Sequence, residues 1–463
     1  MFSRIEDLVL VQSLFILSLL AFFAVLMARR GMFNWYSTGF WTWAALLLYF
    51  VLNPLASRAT SMFMYHRNLL MSGGMPRAEW VGLVLVLSIT AFFITYLLTP
   101  ASPIRWGMDV KKQEQINLPM LLILGGFLGI ATLSLLIHRT RIVGGGEDVV
   151  IQGSRFVGNT TGYEYIADTF YFFPTVYLLA SQARWKNWFG FLLVVVYVGL
   201  TITSPHSRFS VVSMILAFSM VLTYKSKKTW PHPIFILLAF VGGAVLTLRG
   251  HTTLESTEEL IGFIQKIPSE FIGLFSTVDS AMLSSFYLES HVRDNITGYD
   301  YLLPLINYLL FGFIPSRFFP QKYFLVDWLR ASQPPLYDHL TTLYLYGSKS
   351  SLLGSFYGNG GIVGVILLMM AMGFLLRKVD GMISKDSHLI VKSIGFTWTC
   401  FLWMIWGSHD YWGAIVIGVN AIPGLFLWLF APKNPPPARL SRSQYAPTGQ
   451  ALPSRPAPDE VTS

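Results

Sequence analysis

The chain is short of charge and nearly without cysteine. Asp, Glu, Lys and Arg make up 12% of its 463 residues, about half the share of an average globular domain. With 53% hydrophobic residues beside so few charges, a soluble protein would lack the polar atoms to cover its own surface. The single cysteine, Cys400, excludes an internal disulfide framework and any cysteine-based zinc or iron–sulfur centre. Solenoid repeats are absent, and so is a clear inverted repeat of the transporter kind. The net charge of +9 would suit a nucleic-acid partner only if the basic residues gathered on a soluble face. They sit instead at the ends of apolar runs, which is the pattern of membrane topology. No nucleic acid is expected, and the sequence reads as an all-α polytopic membrane protein.

A transmembrane helix needs roughly 20 mainly apolar residues, and about eleven stretches approach this: 8–28, 35–55, 80–99, 118–137, 162–182, 187–203, 209–224, 232–248, 359–376, 389–407 and 411–430. The first reads as a retained span rather than a cleaved signal, because it runs into Ala28-Arg29-Arg30 without a small-residue cleavage site. Basic clusters follow spans one (Arg29, Arg30), three (Arg105, Lys111, Lys112), five (Arg184, Lys186), seven (Lys225, Lys227, Lys228) and nine (Arg377, Lys378). Their exits should share the cytoplasmic side. Arg58, Arg67 and Arg77, between spans two and three, run against this count.

Four regions follow. Residues 1–248 form a membrane domain of spans one to eight, and 359–430 carry spans nine to eleven. From 431 to 463 the chain is rich in Pro, Arg and Ser, the composition of a disordered cytoplasmic tail. Between the membrane parts, 249–358 hold ten of the 24 acidic residues and seven of the 33 basic ones. That balance fits an extracytoplasmic loop. Within it Tyr301–Ile314 is apolar but too short to span, which predicts a re-entrant or interface helix.

The densest group of candidate residues belongs to spans seven and eight. Lys225 through His232 joins them by a short inner turn, so the two spans form a helical hairpin whose outer ends are neighbours. One outer end carries Ser204-Pro205-His206-Ser207-Arg208 and the other Leu248-Arg249-Gly250-His251. Guanidinium groups stay charged and grip phosphate in a bidentate fork, and Arg208 opens a helix, where backbone N–H groups favour anions. Arg208 and Arg249 are therefore candidate ligands for a lipid-linked pyrophosphate; the plainer reading is that each snorkels to a lipid headgroup.

The loop adds Ile314-Pro315-Ser316-Arg317-Phe318-Phe319-Pro320-Gln321-Lys322, a proline-stiffened turn that presents Arg317 and Lys322 to a phosphate or a sugar carboxylate. Asp338-His339 sets a carboxylate beside an imidazole, a weakly specific pairing that makes them candidates for acid–base work. His409-Asp410 is a similar pair between spans ten and eleven, and Asp279 and Asp300 are further loop carboxylates. None of these has a partner at the short spacing that a hard cation needs, so no metal and no cofactor are expected. Gly354-Ser355-Phe356-Tyr357-Gly358-Asn359-Gly360-Gly361-Ile362-Val363-Gly364 reads as a Gly-rich lead into span nine, allowing close helix packing or close approach of a substrate.

Across residues 160–430 this layout resembles the O-antigen (Wzy-type) oligosaccharide repeat-unit polymerases. The resemblance is carried by Ser207-Arg208, by Gly298 through Lys322 and by Gly354 through Gly364. It implies a bacterial inner-membrane glycosyltransferase of the C-type membrane fold, acting on undecaprenyl-pyrophosphate-linked oligosaccharides at the periplasmic face without a metal. It further implies that Arg208, and with it Arg249 and Arg317, bind the pyrophosphate, and that membrane lipid and a chain-length regulator are partners. The loop histidine motif of the related O-antigen ligases does not align with His339, which leaves the general base open. Competing readings are an O-antigen ligase or another C-type glycosyltransferase, a transporter or flippase of lipid-linked glycans, and a non-catalytic scaffold. A transporter would place charges near the bilayer midplane and break its helices.

Overall fold

The structure, a computed structural model, describes residues 2–55, 78–103, 118–143, 150–152, 155–157, 161–202, 208–237, 286, 290, 293, 298–311, 319–321, 324–332, 351–407 and 412–431. These residues are helical apart from their connections and one short antiparallel ribbon, β1 (Val150–Gln152) with β2 (Arg155–Val157), in which Ile151 pairs with Phe156. The helices are α1 (Phe2–Arg29), α2 (Thr38–Leu47, continued by a π-helical stretch Leu48–Leu52), α3 (Ala78–Leu98), α4 (Leu118–Val143), α5 (Thr161–Ala180), α6 (Arg184–Ile202) and α7 (Arg208–Lys225). After these come α8 (Leu303–Phe311), α9 (Phe324–Ser332), α10 (Ser351–Met382), α11 (Leu389–Gly407) and α12 (Trp412–Phe430).

Helices therefore occupy ten of the eleven apolar intervals. In the remaining one, 232–248, a helix begins at 233 and the described residues end at 237. Among the described residues four segments are long and apolar enough to cross a membrane: Leu10–Arg29, Thr38–Leu55, Leu118–Ile137 and Leu352–Met382. Gly82–Leu98, Val211–Lys225, Leu389–Leu402 and Ala421–Phe430 are shorter apolar helices. The outward residues match a lipid solvent. Phe15, Phe22 and Val25 on α1, Leu122 and Leu133 on α4, Trp188 and Leu192 on α6, and Leu367 and Phe374 on α10 are all exposed. Water would not tolerate apolar surface on that scale; a bilayer requires it. The protein is an α-helical membrane protein.

Centrally, α11 packs against α2, α5, α7, α10 and α12. Its hydroxyls turn back onto its own backbone: Ser393 Oγ donates to Leu389 O, Thr397 Oγ1 to Ser393 O and Thr399 Oγ1 to Gly395 O, each at 2.8 Å. Ser and Thr can thus line a dry interior without leaving a donor unsatisfied. The large rings Phe92, Tyr96, Phe172, Tyr197 and Trp406 fill the space between α3, α5, α6 and α11. Against α3, α10 approaches so closely that a Cβ on Gly373 would lie 2.6 Å from Phe92 O.

One end of the bundle is knitted by the connections that carry the basic clusters. Trp35 N donates to Thr229 O (2.8 Å), joining the turns after α1 and α7. Arg30 Nη1 donates to Leu97 O (2.7 Å), Arg377 Nε to Thr99 O (3.3 Å) and Lys378 Nζ to Pro100 O (3.2 Å), so three cations meet the carbonyls at and just beyond the C-terminus of α3, where the helix dipole favours them. Lys225 Nζ donates to Leu179 O (3.1 Å) and Asn187 Oδ1 (2.9 Å), tying the end of α7 to the turn between α5 and α6. Tyr36 packs edge-on against Tyr224 at this end, and burial pushes its phenol above the ordinary tyrosine value. The ends after spans one, three, five, seven and nine thus meet in one place, called here the basic end.

Candidate functional site

At the basic end Asp380 gathers several donors. It accepts from Thr38 N (2.8 Å) and Thr38 Oγ1 (2.9 Å), from the Tyr96 hydroxyl, and from Arg377 Nη1 (3.2 Å). Four donors on two oxygens join α2, α3 and α10. With its acceptor capacity occupied, Asp380 reads as a structural clasp.

From Asp380 back to Gly361, α10 rises about 28 Å, close to the roughly 30 Å of a bilayer core. The other end of α10 therefore lies across the membrane from the clasp. There the helix is broken: Gly361 adopts φ 60° and ψ −146°, a conformation that only glycine holds without strain. A Cβ at Gly361 would also sit 2.6 Å from the Tyr299 hydroxyl. The sequence reading expected a Gly-rich lead before a helix starting near 359. The helix instead begins at Ser351, and the glycines interrupt it.

The segment Gly298–Leu302 docks onto this break. Asp300 N donates to Gly358 O (2.8 Å) and Leu302 N to Asn359 Oδ1 (2.9 Å), while Asn359 Nδ2 donates to Ser355 O (2.6 Å). Asn359 is buried, and its amide both extends the helix interior and holds the incoming strand of chain. Behind the segment Arg293 makes a bidentate ion pair with Asp300, Nη1 to Oδ1 at 2.5 Å and Nη2 to Oδ2 at 2.6 Å, with both residues buried. Tyr299 and Phe286 stack edge-on against Tyr357 from either side. Two of the three segments singled out in the sequence thus form one unit at the break.

A second polar feature lies inside the bundle. Asp168 of α5 accepts from the Tyr197 hydroxyl of α6, and both are buried. Measured from the ends that Lys225 ties together, Asp168 and Tyr197 sit about 15–18 Å up their helices, near mid-depth. Ionisable groups at that depth are costly and are functional candidates by default.

Of the residues expected to work on substrate, Arg208 is the first residue of α7. Because the Lys225 end of α7 is at the basic end, Arg208 begins its helix at the opposite end, the same one as the Gly361 break. Arg249, Arg317, Lys322, Asp338 and His339 lie outside the described residues, as do Asp279, His409 and Asp410. Asp300, one of the scattered loop carboxylates of the sequence, is committed to Arg293. Among the described residues no three His, Cys, Asp or Glu gather into a group able to hold a metal. Sequence reasoning missed Arg293 and Asp168, and read Asn359 only as part of the Gly-rich lead. Of these Asp168 had a usable signal, a carboxylate inside an apolar helix.

Comparison with known proteins returned no match to any family profile, curated sequence or solved structure.

Proposed function

We propose that the protein is a bacterial inner-membrane polymerase that joins undecaprenyl-pyrophosphate-linked oligosaccharide repeat units at the periplasmic face, on an eleven-span membrane domain of the C-type glycosyltransferase kind. The observation that carries this reading is the docking of Gly298–Leu302 onto Ser355–Gly361. Two segments that carry the resemblance are one structural unit, and the third begins α7 at the same end of the bundle.

The chemistry follows from the donor. A hydroxyl on the non-reducing sugar of the incoming unit forms a bond to the anomeric carbon of the growing chain. The bond from that carbon to the pyrophosphate oxygen breaks, its electron pair leaves on the lipid pyrophosphate, and the hydroxyl proton passes to a base or to water. The leaving group is already good, so the main demand is to hold developing negative charge, a role for the guanidinium groups of Arg208, Arg249 and Arg317. Lys322 adds a point charge. Asp338 or His339 in the role of base would contribute about 10²–10⁴-fold.

The test is polysaccharide length in cells. Arg208→Ala and Arg249→Ala each abolish long chains while the protein still inserts, and Arg208→Lys rescues poorly because an ammonium cannot reproduce the bidentate fork. Normal chain lengths in Arg208→Ala would remove the pyrophosphate site. One observation favours a second reading: mid-depth Asp168 is what a carrier of lipid-linked glycans would have. A carrier would move labelled lipid-linked glycan across liposomes without lengthening it.

A further inference from the structure

Helix α8 is amphipathic the wrong way round for a helix in water. Its polar residue Asn307 is fully buried, where its Oδ1 accepts from Leu325 N at 3.2 Å and so ties α9 to α8. The exposed residues described on this side are Tyr301, Leu302, Ile306 and Leu310, the last two at 41% and 55% exposure. Ile306 and Leu310 fall at i and i+4 on one face of the helix, and Leu302, in the turn just before it with φ 66°, is exposed as well. An aqueous surface helix keeps its polar face outward. On α9, Val326 and Leu329 are buried, whereas Phe324 and Trp328 face out at 43% and 60%, with Asp327 exposed beside Trp328 as the polar rim of this face. The two helices meet through Phe311, which contacts both Phe319 and Phe324.

The level of this pair is fixed by its anchor. Leu302 hangs from Asn359, and one turn further along α10 begins the outward apolar row Val363, Leu367, Met370 and Phe374. The exposed apolar residues of α8 therefore begin at the level where the lipid-facing row of α10 begins.

We propose that α8 and α9 are immersed in the leaflet remote from the basic end, with Leu302, Ile306, Leu310, Phe324 and Trp328 among the lipid acyl chains. The pair is an in-plane platform of the kind that sinks its apolar side about 5–10 Å below the headgroups. The immersion stands on these exposed apolar residues alone and does not depend on the polymerase reading.

Spin-label accessibility tests it in full-length protein. Native Cys400 is buried, so Ile306→Cys and Leu310→Cys each offer one reactive thiol, with Leu367→Cys as the hydrocarbon reference. The proteins are reconstituted in phosphatidylethanolamine and phosphatidylglycerol liposomes that contain no polyprenyl lipid. Immersion predicts collision with oxygen several-fold above collision with a water-soluble nickel chelate at both positions, as at Leu367. Nickel access exceeding oxygen access would make α8 part of a water-exposed loop. Low access to both would mean that a second copy of the chain or another protein covers this face, and would equally overturn the proposal. Should either variant misassemble, Trp328→Phe must lower the fraction of tryptophan fluorescence quenched by brominated lipid; an unchanged fraction contradicts it. None of these results alters chain length, so a failure here leaves the polymerase reading to its own assay.

Discussion

Asp300 and Asp380 show how this protein uses carboxylates at its two ends. Asp300 is buried and Asp380 half-buried, and each is matched to donors from elsewhere in the chain. A buried ion pair adds little net stability over an apolar pair, but removing one partner leaves an unpaired charge. Asp300→Ala should therefore cost about 3–5 kcal/mol by exposing Arg293 to that fate, and Arg293→Met with Asp300→Leu should cost less than either single change. Thermal unfolding in detergent micelles measures both; a double variant less stable than Asp300→Ala would contradict the pairing as the source of the loss. At this scale the sequence was unevenly legible. Arg208 stood out because an arginine after a Ser-rich turn at a helix start is chemically suggestive. Arg293 did not, because two opposite charges seven residues apart outside an apolar run have no periodicity to reveal them. Asp168 was visible as a charge inside an apolar run, but its partner Tyr197 sits on another helix and looks like any core aromatic.

Among the elements, helices coincide with ten of the eleven apolar intervals, but among the described residues only four segments are long and apolar enough to cross a membrane, so the eleven-span count is a proposal. The start of α10 was not legible in the sequence. Gly-rich sequence reads as a linker by propensity, yet Ser351–Asn359 is held helical by burial of Leu352, Leu353 and Phe356 and by the Asn359 bond to Ser355, and packing outweighs propensity. The interruption at Gly361 is then a fitted joint against Tyr299. Gly361→Ala should cost about 1–3 kcal/mol from the backbone conformation alone, with the Tyr299 clash in addition. Gly361→Ala combined with Tyr299→Ala should recover only the clash component, because the positive φ remains. Full recovery of the melting temperature in that double variant would show that the backbone strain is negligible.

Over the whole molecule, the basic clusters and the helix contacts agree on which ends lie together, and we propose from the Lys/Arg bias that the basic end faces the cytoplasm. Reporter fusions at Ser256 and Ser441 should give opposite sides, with Ser256 outside the cytoplasm; the same side for both would break the span count in the second half. The central claim is that this membrane protein lengthens lipid-linked glycans by arginine electrostatics. The most direct measurement is chain growth by the purified protein on a synthetic undecaprenyl-pyrophosphate-linked repeat unit, with excess EDTA present. The account predicts a ladder of lengthening products that persists in EDTA and is lost in Arg208→Ala. Products of unchanged length, a ladder that needs added magnesium or manganese, or an undiminished ladder from Arg208→Ala would contradict it.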